Sequence, residues 1–188
     1  MSSTVSPSRR ASALPPDERR AAIVAAVCPL FAEHGDRLTS RQIAQAAGVA
    51  EGTIFRVFAD KDELLAAALE VVLDPEPFER ALSGIDPELP FERRLVEATE
   101  LIRQRVVDVW QVVSQLHGKL RAQATRPATD SDMLTAIFAT ERHRLRMEPP
   151  AAARLLRALT LSLAHPMLVG EPVDAEEIVE IVLHGIER

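Results

Sequence analysis

Apolar residues recur along most of the chain at steps of three, four and seven, the spacing of helices that bury one side. A first helix is predicted from Pro16 or Asp17, with acids in its first turn, to a stop at Gly35. Its stripe is Ala22, Ala26 and Leu30 with the neighbouring line Ile23, Val27 and Phe31. Pro29 interrupts it and is expected to kink the axis at a cost of about 3 kcal/mol. Two short helices around Gly48 follow in Thr39 to Val57. Ala44 is small enough for a helix crossing, Gly48 can turn left-handed, and Ile43, Ala47, Val49, Ile54 and Val57 point inward. Thr39 or Ser40 caps the first of the pair, Gln42 completes a capping box, and Ala50 caps the second poorly.

Beyond Val57 the pattern lengthens. Asp60 caps a helix to Leu73, with Glu63 three residues on, and Leu64, Leu65, Leu69 and Val72 are expected to pack into the remainder of the chain. Prolines break Asp74 to Pro90, leaving room for one short helix, Phe78 to Leu82. A long helix is expected from Phe91 to about Leu120, on the stripe Leu95, Ile102, Val106, Val109, Val113, Leu116 and Leu120. Asp130 or Ser131 opens another, with Met133, Leu134, Ile137 and Phe138 inward. The last two, about Ala151 to Leu168 and Asp174 to Ile186, are apolar on more than one face. The fold class is therefore all-α. Residues 1–15 form a Ser-, Pro- and Arg-rich arm, 16–60 a three-helix head containing a helix-turn-helix, and 61–188 a helical body.

Composition narrows the function without naming it. The 188 residues are 47% hydrophobic and 27% charged, ordinary for a globular protein. Up to Val57 seven arginines face five acids, a net of +2, which leaves −8 for the remainder of a chain of net charge −6. A local nucleic-acid face on the head is compatible with that split; a chain coated in nucleic acid is not. The lone Cys28 can form no internal disulfide, Ala158 to Gly170 is too short to span a bilayer, and no signal peptide is seen, so the expected compartment is the cytoplasm. No metal or cofactor motif is evident. The five histidines are scattered, no Glu-x-x-His pair or nucleophile elbow occurs, and catalysis is not expected.

Phe31 through Leu65 resembles the DNA-binding domain of the TetR family of bacterial transcriptional regulators. The residues that carry the resemblance are Phe31 and Gly35; Thr39, Ile43, Ala44, Ala47, Gly48 and Val49; Gly52, Thr53, Ile54 and Phe55; and Phe58, Lys61 and Leu64. Asp36 and Phe55 stand where the family often has other aromatics, and Leu38 can fill the space left at Asp36. The resemblance implies a DNA face of Thr39, Ser40, Arg41, Gly52, Thr53, Phe55, Arg56 and Lys61. The Thr39 cap leaves backbone N–H groups for a phosphate, and Arg41 reaches a phosphate or a base edge. Gly52 allows close approach, while Thr53 offers a methyl to thymine or a hydroxyl to phosphate. Phe55 can stack or touch a thymine methyl, and Arg56 suits guanine readout or a phosphate clamp. Lys61 binds a phosphate by resemblance. Glu51 is unfavourable beside phosphate but can accept from a cytosine amino group. Arg9 and Arg10 of the arm can enter a minor groove.

The resemblance further implies a homodimer on a double-stranded operator with inverted-repeat symmetry, most simply a repressor released by a small-molecule effector. A regulator without an effector is the alternative. Arg103, Trp110, Ser114 and His117, with Phe138, are expected to line an effector pocket. The terminal helix pair is expected to meet its symmetry mate through Leu155, Leu159, Leu163, Ile178, Ile181 and Val182.

Overall fold

A computed structural model describes residues 15–125 and 130–186. Ten α-helices follow one another: α1 (Pro16–His34), α2 (Ser40–Ala46), α3 (Glu51–Val57), α4 (Lys61–Leu73), α5 (Glu76–Ser83), α6 (Phe91–Val113), α7 (Gly118–Ala124), α8 (Asp132–Ala139), α9 (Pro149–Ala164) and α10 (Ala175–Ile186). Short 3-10 turns lie at Gly35–Arg37 and Arg142–Arg144, and no strand occurs among the described residues. The all-α expectation holds. Arg9 and Arg10 lie outside the described residues.

Two apolar cores divide the chain. The first gathers Ile23, Val27 and Phe31 of α1 with Leu38, Ile43, Ile54 and Phe58, then adds Leu64, Leu65 and Leu69 of α4 and Val112, Leu116 and Leu120 from the α6–α7 corner. The second joins α6, α8, α9 and α10 around Leu95, Ile102, Phe138, Leu156, Ile178 and Val182. Helix α4 and the corner therefore belong with the head by packing. Leu64 and Leu65, expected against the body, are fully buried in this first core, which the head shares with the α6–α7 corner. Leu116 is part of the physical link, since a body segment supplies a side chain 1% exposed to the head's own core.

Several expectations shift by a residue or a turn. The buried line of α1 is Ile23, Val24, Val27 and Phe31, while Ala22 is exposed and Ala26 and Leu30 are half-buried. Helix α1 runs unbroken through Pro29, which faces solvent, where water can satisfy the carbonyl that the proline leaves free. The long helix stops at Val113, and Ser114 to His117 turn the chain before Gly118 restarts it with φ +51°. Helix α9 begins at Pro149 and Pro150, two residues before the expected Ala151, with Glu148 at the N-cap position and no side-chain cap bond. Proline is at ease there because the first N–H groups of a helix have no internal acceptor.

Thr99 and Thr160, both fully buried, return their hydroxyls to the carbonyls of Leu95 and Leu156 at 2.7 and 2.8 Å. They satisfy themselves within their own helices. This lets small polar residues occupy the body core without an interhelical partner.

Candidate nucleic-acid interface

Local sequence builds the helix-turn-helix as expected. Thr39 Oγ1 accepts from the Gln42 backbone N–H at 3.3 Å, and Gln42 Oε1 accepts from the Thr39 N–H at 3.0 Å, a reciprocal capping box at the start of α2. The turn closes with Val49 N–H on the Ala44 carbonyl at 3.0 Å, around Gly48 at φ +63°. A side chain at Gly48 would touch nothing, so the glycine is needed for its backbone angle and not for space. Ala50 gives α3 no side-chain cap.

Helix α3 is held from behind. Ile54 is 1% exposed, and Val57 and Thr53 are half-buried. Arg20 clamps its C-terminal end: the guanidinium lies 4.2 Å from the Phe58 ring centre, donates to the Val57 carbonyl at 3.3 Å and pairs with Glu63 at 2.9 Å. Sequence reasoning assigned Arg20 no role. Its signal was weak, because the residues it joins are far apart in the chain and meet only once α1 crosses α3 and α4.

The opposite side of α3 is open. Glu51, Gly52, Phe55 and Arg56 are exposed, with Arg41 and Gln45 exposed one helical turn apart on α2. Gln45 was missed by sequence reasoning, although its spacing from Arg41 placed it on the same line. Arg41 and Arg56 form no hydrogen bond or ion pair among the described residues. Five arginines of the body are paired with acids: Arg80 with Glu76, Arg103 with Glu100, Arg142 with Glu148, Arg144 with Glu92, and Arg154 with Asp130. Two unneutralised guanidiniums thus project from one polar face. Thr39 is exposed and Ser40 half-buried at the edge of that face.

Lys61 behaves differently. Its Nζ donates to the carbonyls of Asp36 at 3.0 Å and Leu38 at 3.1 Å, so it ties the turn before α2 to the start of α4. One of its three N–H groups is left for an outside acceptor.

The Asp36 carboxylate receives the His117 backbone N–H at 2.8 Å and faces the His117 ring Nδ1 at 3.2 Å. Burial pushes its pKa up, but the two hydrogen bonds and the positive charges of His117 and Lys61 outweigh this and leave it below the usual carboxylate range. Because the folded value is the lower one, the contact's stabilisation is full above the ordinary carboxylate range. It fades as pH falls through the folded value. The melting temperature of the wild type should therefore exceed that of Asp36→Asn near neutrality, and the gap should close on acidification below about pH 5. A gap that stays constant down to about pH 3 would show that the carboxylate's charge contributes nothing.

The residues expected around an effector do not converge. Arg103 pairs with Glu100, Trp110 packs on His165 with ring centres 4.3 Å apart, Ser114 returns its hydroxyl to Gln111, and His117 sits at Asp36. Phe138 is fully buried in the second core, edge-on to Phe91. The break after Val113 carries His117 to Asp36 of the head, whereas Phe138 lies in the second core. A groove of about 470 Å³ lies elsewhere, between the second half of α4, Asp74, Pro75 and Gln123 of α7.

The dimer expectation also divides. Ile178 and Val182 are 0% and 2% exposed inside the subunit, because these positions of α10 face α6 and α9, and they are not available to a second copy. Leu159 and Leu163 are half-buried, while Leu155 and Ile181 remain open at 40% and 47% exposure.

Among the described residues no group of His, Cys, Asp and Glu is placed to hold a metal ion, and no helix is long and apolar enough to cross a membrane. The profile described as bacterial regulatory proteins, tetR family, matches residues 23–68. The chain is 44% identical over 59 residues to the HTH-type transcriptional regulator HbdR of Aromatoleum, a match spanning 31% of this chain but 26% of that protein. It is 31% identical over 150 residues to the HTH-type transcriptional repressor Rv3405c of Mycobacterium tuberculosis, covering 77% of this chain and 78% of the relative. Among solved structures, NalD of Pseudomonas aeruginosa, the secondary repressor of the MexAB-OprM multidrug efflux pump, superposes with a TM-score of 0.55 at 28% identity, over 92% of this chain and 97% of NalD. With its helix-turn-helix, its all-helical body and these relatives, the chain belongs to the TetR family of helix-turn-helix transcriptional regulators.

Proposed function

We propose that this regulator is a homodimeric repressor that lays α3 of each subunit into successive major grooves of an inverted-repeat operator. The observation that carries the reading is the pair of unpartnered guanidiniums, Arg41 and Arg56, on a face whose back is rigidly packed. An unpaired, exposed arginine is free to form bidentate bonds to guanine or to phosphate. The sign of regulation follows the mycobacterial relative, which is a repressor. Thr39, Ser40, Gly52 and Thr53 border the same face, and Lys61 contributes its remaining N–H to phosphate while holding the turn before α2. Selection of bound duplexes from a random pool at fixed salt is the test. Enrichment of palindromes with half-sites about 34 Å apart is expected, and recovery of unsymmetrical or random sequence would reject the reading.

The second copy is expected on the outer side of α9 and α10, where Leu155, Leu161 and Ile181 stand exposed beside the small residues Ala158, Ser162 and Gly185. Charging Ile181 tests this without touching the subunit core. Ile181→Glu should sediment as a folded monomer, whereas a dimer of unchanged affinity would move the interface elsewhere. Val182→Glu is unsuitable, since it would bury a carboxylate and unfold the subunit.

Effector control is assigned to the groove beside α4. Ala66, Ala67, Glu70 and Leu73 on one wall belong to the helix whose first residue is Lys61, so a molecule seated there would bias the tilt of a rod that carries the head. To act as an inducer it must favour the released state by ~1 to 3 kcal/mol. A compound that raises the melting temperature should lower operator affinity with it, and stabilisation without that loss would separate the groove from regulation.

A further inference from the structure

The outer line of α3 carries an acid and an aromatic where a nucleic-acid face would ordinarily carry hydrogen-bond donors. Glu51 and Phe55 stand four residues apart, one above the other, and both are exposed. Phe55 is 46% exposed, while Phe31, Phe58 and Phe138 are fully buried. Glu51 has no hydrogen bond or ion pair among the described residues. The fold does not explain Phe55, since Ile54 holds α3 in the core; Glu51 makes no cap bond, and as the first residue of α3 it is favoured only by the positive end of that short helix.

Resting on the proposed docking of α3 in a major groove, we infer that Glu51 and Phe55 form a pyrimidine-reading pair, Glu51 accepting from a cytosine amino group and Phe55 packing on a thymine methyl. Chemistry leaves few alternatives. A phenyl ring can neither donate nor accept in the plane of a base edge, and the faces of stacked bases are closed to it. The thymine C5-methyl is the apolar group that a base edge presents in the major groove. A carboxylate only accepts, and the phosphates repel it, so on the DNA side of this face the group that suits it is a base amino hydrogen. Among the pairings that the major groove permits, cytosine N4 is the one suited to Glu. Four residues of α-helix rise about 6 Å, close to two steps of about 3.4 Å along a strand. The cytosine and the thymine therefore lie within two base-pair steps of each other in each half-site. Gly52, with open space where a Cβ would stand, lets the backbone between them approach the bases.

The test starts from duplexes that the wild-type protein selects from a random pool, and measures affinity at fixed salt after each thymine is replaced in turn by deoxyuridine. Loss of the methyl at one position should weaken binding about fourfold per half-site, the value of one buried carbon. In Phe55→Ala, thymine and deoxyuridine should bind alike at that position. Repeating the selection with Glu51→Gln should enrich adenine where the wild type takes cytosine, because an amide pairs with the N6 and N7 edge of adenine. The same variant should bind unrelated duplex more tightly, since a charge opposed to phosphate is gone. Insensitivity to deoxyuridine at every position, or methyl sensitivity that survives Phe55→Ala, overturns the Phe55 assignment. An unchanged motif with Glu51→Gln overturns the Glu51 assignment. Selected palindromes with either failure leave operator binding standing, whereas a wild type that selects nothing removes both. The deoxyuridine arm uses the unaltered protein, so it does not depend on any variant folding.

Discussion

Arg56→Ala is expected to weaken binding to the selected operator by ~1 to 3 kcal/mol per half-site, and by about twice that when both subunits of a dimer carry the change. The side chain is exposed and bonded to nothing in the subunit, so its removal should leave the melting temperature unaltered and act on the complex alone. Two readings of Arg56 separate in one experiment. If it reads guanine, the loss is concentrated on the preferred sequence and the motif relaxes at one position. If it clamps phosphate, all duplexes lose affinity together and the salt dependence falls by about 0.9 for each phosphate no longer neutralised. Fluorescence anisotropy at several salt concentrations distinguishes them, and an affinity equal to wild type would take Arg56 out of the interface.

Gly35→Ala should strongly destabilise the head. Gly35 has φ +60° and ψ −139°, a region open essentially to glycine, so a side chain there costs about 1 to 3 kcal/mol in backbone strain. A Cβ would also stand 2.6 Å from Gln115 Cβ and 2.7 Å from the Gln115 carbonyl oxygen, and relieving such overlap costs a further ~1 to 3 kcal/mol. For a chain of this size the sum corresponds to a fall in melting temperature on the order of 10 °C. Gly48→Ala is the control. Gly48 has φ +63° but open space around it, so it should show the strain without the collision. Equal losses in the two variants would mean that the corner yields to Gly35 at no cost. The position matters beyond stability, since Gln115 Nε2 also donates to the Ala32 carbonyl at 3.0 Å and His117 holds Asp36. The Gly35 turn and the α6–α7 corner are one joint, and a variant that pries it open should loosen the head's attachment to the body.

The head was legible in the chain because its determinants are local. Thr39 and Gln42 are three residues apart and complete their box without tertiary help, and Gly48 satisfies the turn by its own backbone. Leu38, at 1% exposure, is buried in the head core as the departure at Asp36 suggested. The body was legible as helices but not as surfaces. A periodic stripe reports that a helix has a buried side without reporting which neighbour covers it. Periodicity predicts Met133 inward, yet it stands 36% exposed, and predicts Val182 as an outer contact, yet it is 2% exposed. Extending one helix through Ser114 predicts His117 beside Trp110, but four residues of turn are enough to send it to Asp36 at the head.

What the amino-acid sequence determined alone was the helical class, the helix-turn-helix with its cap and turn, and the resemblance to a regulator family. These follow from periodicity, backbone preference and residue chemistry, each acting over a few residues. Tertiary structure alone decided that Leu116 completes the head core, that Arg20 braces α3, that Lys61 is tied to two carbonyls, and that Ile181 and not Val182 faces outward. Such contacts join segments from 23 to 83 residues apart, and their partners are chosen by how rigid helices pack in three dimensions, which no local pattern encodes.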